Sequence, residues 1–335
     1  MNKKLLFGLI LAFLLKGSLV QAQDPIFSQF FSSPLQLNSA FAGSAQAPFI
    51  ALNYRMQFPS FNNNGAAYST IAASYDQDIK GLNSGFGLSV MTDDAGQGIY
   101  KKTYANVVYS YKIAINNKIN TRFGVEAGFI QSNLDWSRLV FEDQIEGRNG
   151  NVVNATQEVR PMETKRNVFD ISTGVLVYGA GFHAGLSIKH LAKPDDDFIK
   201  ANQSLRIGLP TRWTLHGGYE IITKRGNRYR PDNFITPTLL YVKQGDFNQV
   251  VVGAYGGFGP IIGGLWYRHT LSNPESLITM IGFKTDYFKA AYSFDYTVSS
   301  LAGKSGGTHE VSLIFNLDPY ASKKVDILDC FRMFR

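Results

Sequence analysis

From residue 49 to the region of residue 317 the chain repeats one pattern, a run of alternating apolar and polar positions followed by turn residues. In Phe49 to Phe58 the even positions are Ile50, Leu52, Tyr54, Met56 and Phe58, while the odd ones include Asn53, Arg55 and Gln57. The same division recurs in 121–131, 182–190, 211–221, 288–298 and 310–317, where Arg122, Glu126, His183, Lys189, Arg212, His216, Asp295 and Glu310 fall on the polar face. A period of two is the signature of β-strands with one greasy and one wet face. Fourteen strands are expected, beginning near residues 49, 67, 84, 100, 120, 167, 181, 211, 233, 247, 260, 276, 287 and 308.

The connections sort by parity. Taken together those after odd-numbered strands are much the longer, with the longest near 132–166 and 191–210, although the one after strand nine is short. An even count of antiparallel strands with short turns at one end and long loops at the other predicts a closed transmembrane β-barrel. The fold class expected is therefore all-β, with both termini on the short-turn, periplasmic side. Charges on the wet faces point into the lumen, because on the lipid face each would cost roughly 2–4 kcal/mol at mid-membrane.

Residues 23–48 break the alternation. Asp24 before Pro25 and Ser33 before Pro34 are helix starts, and Gly43 is a natural stop. Phe27, Phe30, Phe31, Leu35, Leu37 and Phe41 need somewhere to be buried, either at the periplasmic mouth or in the lumen. Phe27, Phe30 and Phe41 are the candidate partner-binding residues of this segment. The tail 318–335 opens with Asp318-Pro319, and Ile327, Leu328, Phe331 and Phe334 lie on one helical face. Phe331 is the alternative contact.

Lys3 and Lys4 precede an apolar stretch, Leu5 to Leu15, and Val20-Gln21-Ala22 forms a cleavage site, so residues 1–22 read as a signal peptide. Without them 30 basic residues face 26 acidic ones. No basic run interleaved with aromatics suggests nucleic acid. Gly 32, Tyr 17 and Phe 25 with 18% charged residues agree with a strand-rich chain. The single cysteine, Cys330, excludes an internal disulfide and CxxC chemistry.

Candidate chemistry is sparse. His190 stands near Asp195, Asp196 and Asp197, and a histidine with a carboxylate can activate water, but the acidic run reads better as a solvated loop. His309 and Glu310 are adjacent in a strand and point to opposite faces. His183 and His216 are expected inside the barrel on neighbouring strands, without the further ligands of a metal site. No catalytic, cofactor or metal residue is assigned.

Several stretches carry a resemblance. Gln23 to Ser44 contains QDPIFSQ and, after Pro34-Leu35, NSAFAG; Asn53-Tyr54-Arg55 with Gln57, Asp94-Ala95-Gly96, SIKHL at 187–191, YSFDYTVSSL at 292–301 and Thr308-His309-Glu310 follow in order. Together they resemble the PorP/SprF family, outer-membrane proteins of Bacteroidetes type IX secretion and gliding systems, with Ser39 standing where the family usually has proline. The resemblance implies a non-enzymatic barrel acting as adaptor or anchor. Its implied partners are the periplasmic ring lipoproteins and the C-terminal targeting domain of a secreted cargo or adhesin. A passive diffusion porin is the alternative on the same fold.

Overall fold

The computed structural model describes residues 23–318 apart from 46, 62–65, 147–150, 153, 197, 199–207, 227–232, 271–272 and 300–301. The proposed signal peptide, and the tail from Pro319 with Phe331 and Cys330, lie outside the described residues.

The strands run as expected from the alternation, each beginning within three residues of its predicted start. They are β1 (Phe49–Gln57), β2 (Tyr68–Ile79), β3 (Ser84–Ala95), β4 (Tyr100–Asn116), β5 (Ile119–Leu134), β6 (Lys165–Gly179) and β7 (Phe182–Lys189). β8 (Arg212–Tyr219) is interrupted at Glu220 and resumes over Ile221–Lys224. Both parts pair with one neighbour, Gly218 opposite Thr238 and Ile221 opposite Ile235, so they form one strand of the barrel. β9 (Asn233–Gln244), β10 (Phe247–Phe258), β11 (Ile261–Thr270), β12 (Asn273–Lys284), β13 (Phe288–Thr297) and β14 (Thr308–Asn316) complete the series. Every strand pairs antiparallel with its sequence neighbours. β1 closes on β14, with Phe49 opposite Asn316 and Gln57 opposite Thr308, giving a closed 14-strand barrel.

Short turns, such as 117–118, 180–181 and 259–260, join the strands at the end where β1 begins and β14 finishes. Residues 135–164 and 190–211 connect strands at the opposite end. We refer to these as the short-turn end and the long-loop end. Along β5 the outward Phe123, Val125 and Phe129 are exposed while Arg122, Glu126 and Ile130 are buried, and β8 repeats this with Trp213 and Leu215 outside and Arg212, Thr214 and His216 inside. The outward exposure is an apolar wall suited to lipid; the buried polar groups face a lumen that is not empty.

Candidate functional site: the filled lumen

Residues 23–45 run down the inside of the barrel. The segment begins near the long-loop end, where the Asp24 backbone N–H donates to Gln244 at the tip of β9 over 3.0 Å. It continues through a 3-10 turn at Phe30–Ser32, the single-turn helix α1 (Pro34–Leu37) and a 3-10 turn at Ser39–Phe41. Asn38 starts the last turn, its side chain accepting from Ala40 N over 2.9 Å. The chain leaves at the short-turn end through Gly43, whose φ of 63° is left-handed backbone that glycine adopts without strain. There the Gly43 N–H donates to Asp76 over 2.7 Å, and Arg122 Nη1 donates to Ala42 O over 2.9 Å. Close approach to the wall requires a bare backbone opposite: a Cβ on Gly124 would overlap Ser39 and Ala40.

At the long-loop end Asp24 is the centre of a buried charge cluster. His190 Nε2 lies 2.5 Å from Asp24 Oδ2, His190 Nδ1 lies 2.8 Å from Asp170 Oδ2, and the Tyr104 hydroxyl donates to Asp24 Oδ1 over 3.0 Å. Arg212 Nη1 stands 3.4 Å from the same Asp24 oxygen. His190 and Asp24 both lie outside the strands. Burial by itself would push the His190 imidazole down, but the Asp24 carboxylate and the hydrogen bonds to Asp170 and Asp24 raise it to about 9. Burial likewise favours neutral Asp24, yet His190, Arg212 and Lys102 hold its carboxyl below the ordinary carboxylate range. The imidazolium therefore donates to a carboxylate on each side, one on the segment and one on β6. Beside it Lys189 Nζ pairs with Glu126 at 3.1 Å and Lys102 with Asp196 at 2.6 Å.

Further in, Ser28 and Gln29 meet the closing strands. Their backbone N–H groups each donate to one carboxylate oxygen of Glu310 over 2.8 Å. Ser28 Oγ also donates to Asp295 over 2.6 Å, and Arg268 donates to Ser28 Oγ over 2.6 Å and to Asp295 over 2.9 Å. In the lower half Asn38 Nδ2 lies 3.1 Å from His216 Nε2 and donates to the carbonyls of Val175 and Leu186. Phe41 stacks on the His216 ring at 5.3 Å.

An apolar cluster joins these polar stations: Phe30, Phe31, Leu37 and Phe41 pack with Leu176, Phe234, Leu240, Tyr255, Trp266 and Ile278 of the wall. Phe31 lies 5.1 Å from the Trp266 ring and 5.2 Å from Tyr255, within the range of favourable aromatic contacts. Small spaces of about 30 Å³ lie between segment and wall, among them one beside Phe27, Phe30 and Leu37 and another beside Asp24, Glu126 and His190. Each has room for a water molecule or two.

Phe27, Phe30 and Phe41, expected as partner contacts, are each 6% exposed or less. Their apolar area is already spent against the wall, and a partner could cover them only if the segment left the barrel. The described segment also begins near the long-loop end, whereas Asp318 follows β14 at the short-turn end. Within the described residues the two ends therefore lie at opposite ends of the barrel, the first held there by the match of Asp24 to His190 and Arg212.

His190 does not join the acidic run next to it in sequence. Asp196 takes Lys102, Asp195 lies 3.9 Å from Arg166, and Asp197 is outside the described residues. His309 faces outward against Tyr292, while Glu310 is fully buried inside. The His183 and His216 rings are neighbours at 6.1 Å. Among the described residues no group of three or more His, Cys, Asp or Glu could hold a metal ion. Sequence reasoning passed over Phe31 and Gln29 as site residues, although Gln29 closes the QDPIFSQ stretch that carries the resemblance and Phe31 lies two residues beyond it.

The filled lumen also brings together stretches far apart in sequence: Asp24, Ser28 and Gln29 from the first, Arg55 from NYR, Lys189 and His190 from SIKHL, Asp295 from YSFDY, and Glu310 from THE. A porin from Rh. blastica shares 9% identity over 81% of this chain and 98% of its own, with a TM-score of 0.33. The KdgM porin shares 11% over 81% and 99%, with a TM-score of 0.36. Likenesses this distant carry no argument about conduction. Comparison with curated proteins gives no match. A family model described as type IX secretion system membrane protein PorP/SprF matches residues 19–315. The chain therefore belongs to the PorP/SprF family of type IX secretion system membrane proteins.

Proposed function

We propose that this protein is a non-conducting component of the type IX secretion and gliding machinery in the outer membrane. In this reading it is an adaptor or anchor between the periplasmic ring lipoproteins and the C-terminal targeting domain of a secreted cargo or adhesin. The short-turn end is periplasmic and the long connections 135–164 and 190–211 are outside, in keeping with the general asymmetry of such barrels. The observation that carries the proposal is that residues 23–45, mostly buried, run through the lumen from the long-loop end to the short-turn end. A diffusion porin needs an open polar channel, whereas an adaptor needs only a rigid wall and two presented ends. The test joins two measurements on the full chain: conductance in a planar bilayer and co-purification from the native membrane. Electrical silence together with capture of ring lipoproteins or cargo is expected. A steady large conductance without such partners would replace this reading with the porin.

A further inference from the structure

The pairing that closes the barrel, β1 against β14, has an ambiguity built into its lipid face. A slip by one residue would turn apolar side chains into the lumen, but a slip by two preserves every facing. Outside, Leu52 and Tyr54 of β1 meet Leu313 and Val311 of β14, and any of these could exchange opposite numbers at little cost. The register must be written on the inside.

There, Arg55 is opposite Glu310 and Asn53 opposite Ser312. Residues 26–29 bind across this seam. Arg55 of β1 donates to the carbonyl of Ile26. On β14, Glu310 accepts the consecutive N–H groups of Ser28 and Gln29, and the Gln29 amide does the rest: its Nε2 donates to Glu310 O over 3.2 Å and to Ser293 Oγ on β13 over 3.1 Å, while its Oε1 accepts from Ser312 Oγ over 2.5 Å. Gln29, Glu310, Ser293 and Ser312 are each 2% exposed or less, so no water competes for these groups. A two-residue slip would carry Glu310 away from Arg55 and Ser312 away from Asn53, while the segment could satisfy only one strand.

We propose that Ile26 to Gln29 form an internal clasp, a peptide ligand held by the inner faces of β1, β13 and β14, that selects the register of the closing pair and locks it. This role is independent of which partners the barrel serves.

Cross-linking across the lipid face reads the register without touching the clasp. In a Cys330→Ser background, Leu52→Cys with Leu313→Cys reports the native register, and Leu52→Cys with Val311→Cys or Phe315→Cys reports slips of two in either direction. With the clasp intact only the first pair should oxidise to a disulfide. Adding Ser28→Ala and Gln29→Ala keeps the two backbone N–H donations to Glu310 but removes five buried side-chain hydrogen bonds, those of Ser28 Oγ with Asp295 and Arg268 and those of the Gln29 amide with Ser293, the Glu310 carbonyl and Ser312, and slipped product should rise by about tenfold or more. Phe41→Ala, which loosens the segment far from the seam, should leave the first pair dominant. Should the double variant fail to assemble, Ser293→Ala, which removes one bond of the clasp, should still raise slipped product measurably. Native-only cross-linking in the double variant, or in Ser293→Ala where the double variant is lost, overturns the clasp. Equal slipping in Phe41→Ala overturns it in favour of general loosening.

Discussion

Replacing Phe31 with Ala should raise the rate at which the segment releases and the barrel opens. Phe31 is 5% exposed and is the segment's main contact with the far wall, stacked on Trp266 at 24° and touching Tyr255 and Phe30. The wall side of this contact does not depend on it, because Trp266 Nε1 donates to Thr238 over 2.9 Å and β11 is paired along both edges. The loss therefore falls on the bound state of the segment and not on the barrel. Truncating a buried phenylalanine costs about 3–5 kcal/mol. At about 1.4 kcal/mol per decade, the released fraction rises by a factor of about a hundred to a few thousand. Single-channel recording in a planar bilayer reads this as a higher frequency of brief openings, and heat-modifiable gel migration verifies that the barrel is intact. An opening frequency within about threefold of the parent, in a folded barrel, would refute the reasoning, since a few kcal/mol cannot vanish from a two-state equilibrium.

Raised above its ordinary 6.5 to about 9, the His190 imidazolium contributes its full hold on Asp24 and Asp170 below the ordinary value and loses it as pH climbs through about 9. Openings should therefore become more frequent between neutral pH and pH 10, His190→Gln should flatten the profile, and a flat parent profile would contradict the assignment. Lys189→Met leaves Glu126 buried without its partner at a cost of about 3–5 kcal/mol. The exchange of Lys189→Glu with Glu126→Lys should recover much of the thermal stability, and a double variant no better than the single one would deny the coupling. Protease applied to intact cells should cut within 135–164 or 190–211, and cleavage at Lys224 or Arg225 instead would invert the proposed orientation.

The strands were legible because lipid outside and packed polar groups inside impose a strict period of two, which sequence displays directly. Arg55, Arg122, Glu126, Lys189 and Glu310 could be placed inward for the same reason, since each is too costly on the lipid face. What fills the lumen was not legible in the same way. Phe27, Phe30 and Phe41 announce a need for burial, but a partner's surface and the protein's own interior satisfy that need equally, and period carries no information about which. His190 shows the second limit. Asp195 to Asp197 are its neighbours along the chain, yet its partners Asp24 and Asp170 come from the segment and from β6, brought there by register and by the path of the segment. The SIKHL and QDPIFSQ stretches held the signal, but only a barrel with the segment inside shows that they touch.

The contact between Ser28 and Glu310 spans 282 residues of sequence. Synthesis and export deliver Ser28 near the beginning and Glu310 near the end, so for most of its early life the segment has no site to occupy. Loop closure over such a span comes late. Through that interval a stretch holding Phe27, Phe30, Phe31, Leu35, Leu37 and Phe41 is an apolar chain without shelter. The age of each molecule is thus written in this segment: exposed and protease-sensitive before closure, protected afterwards.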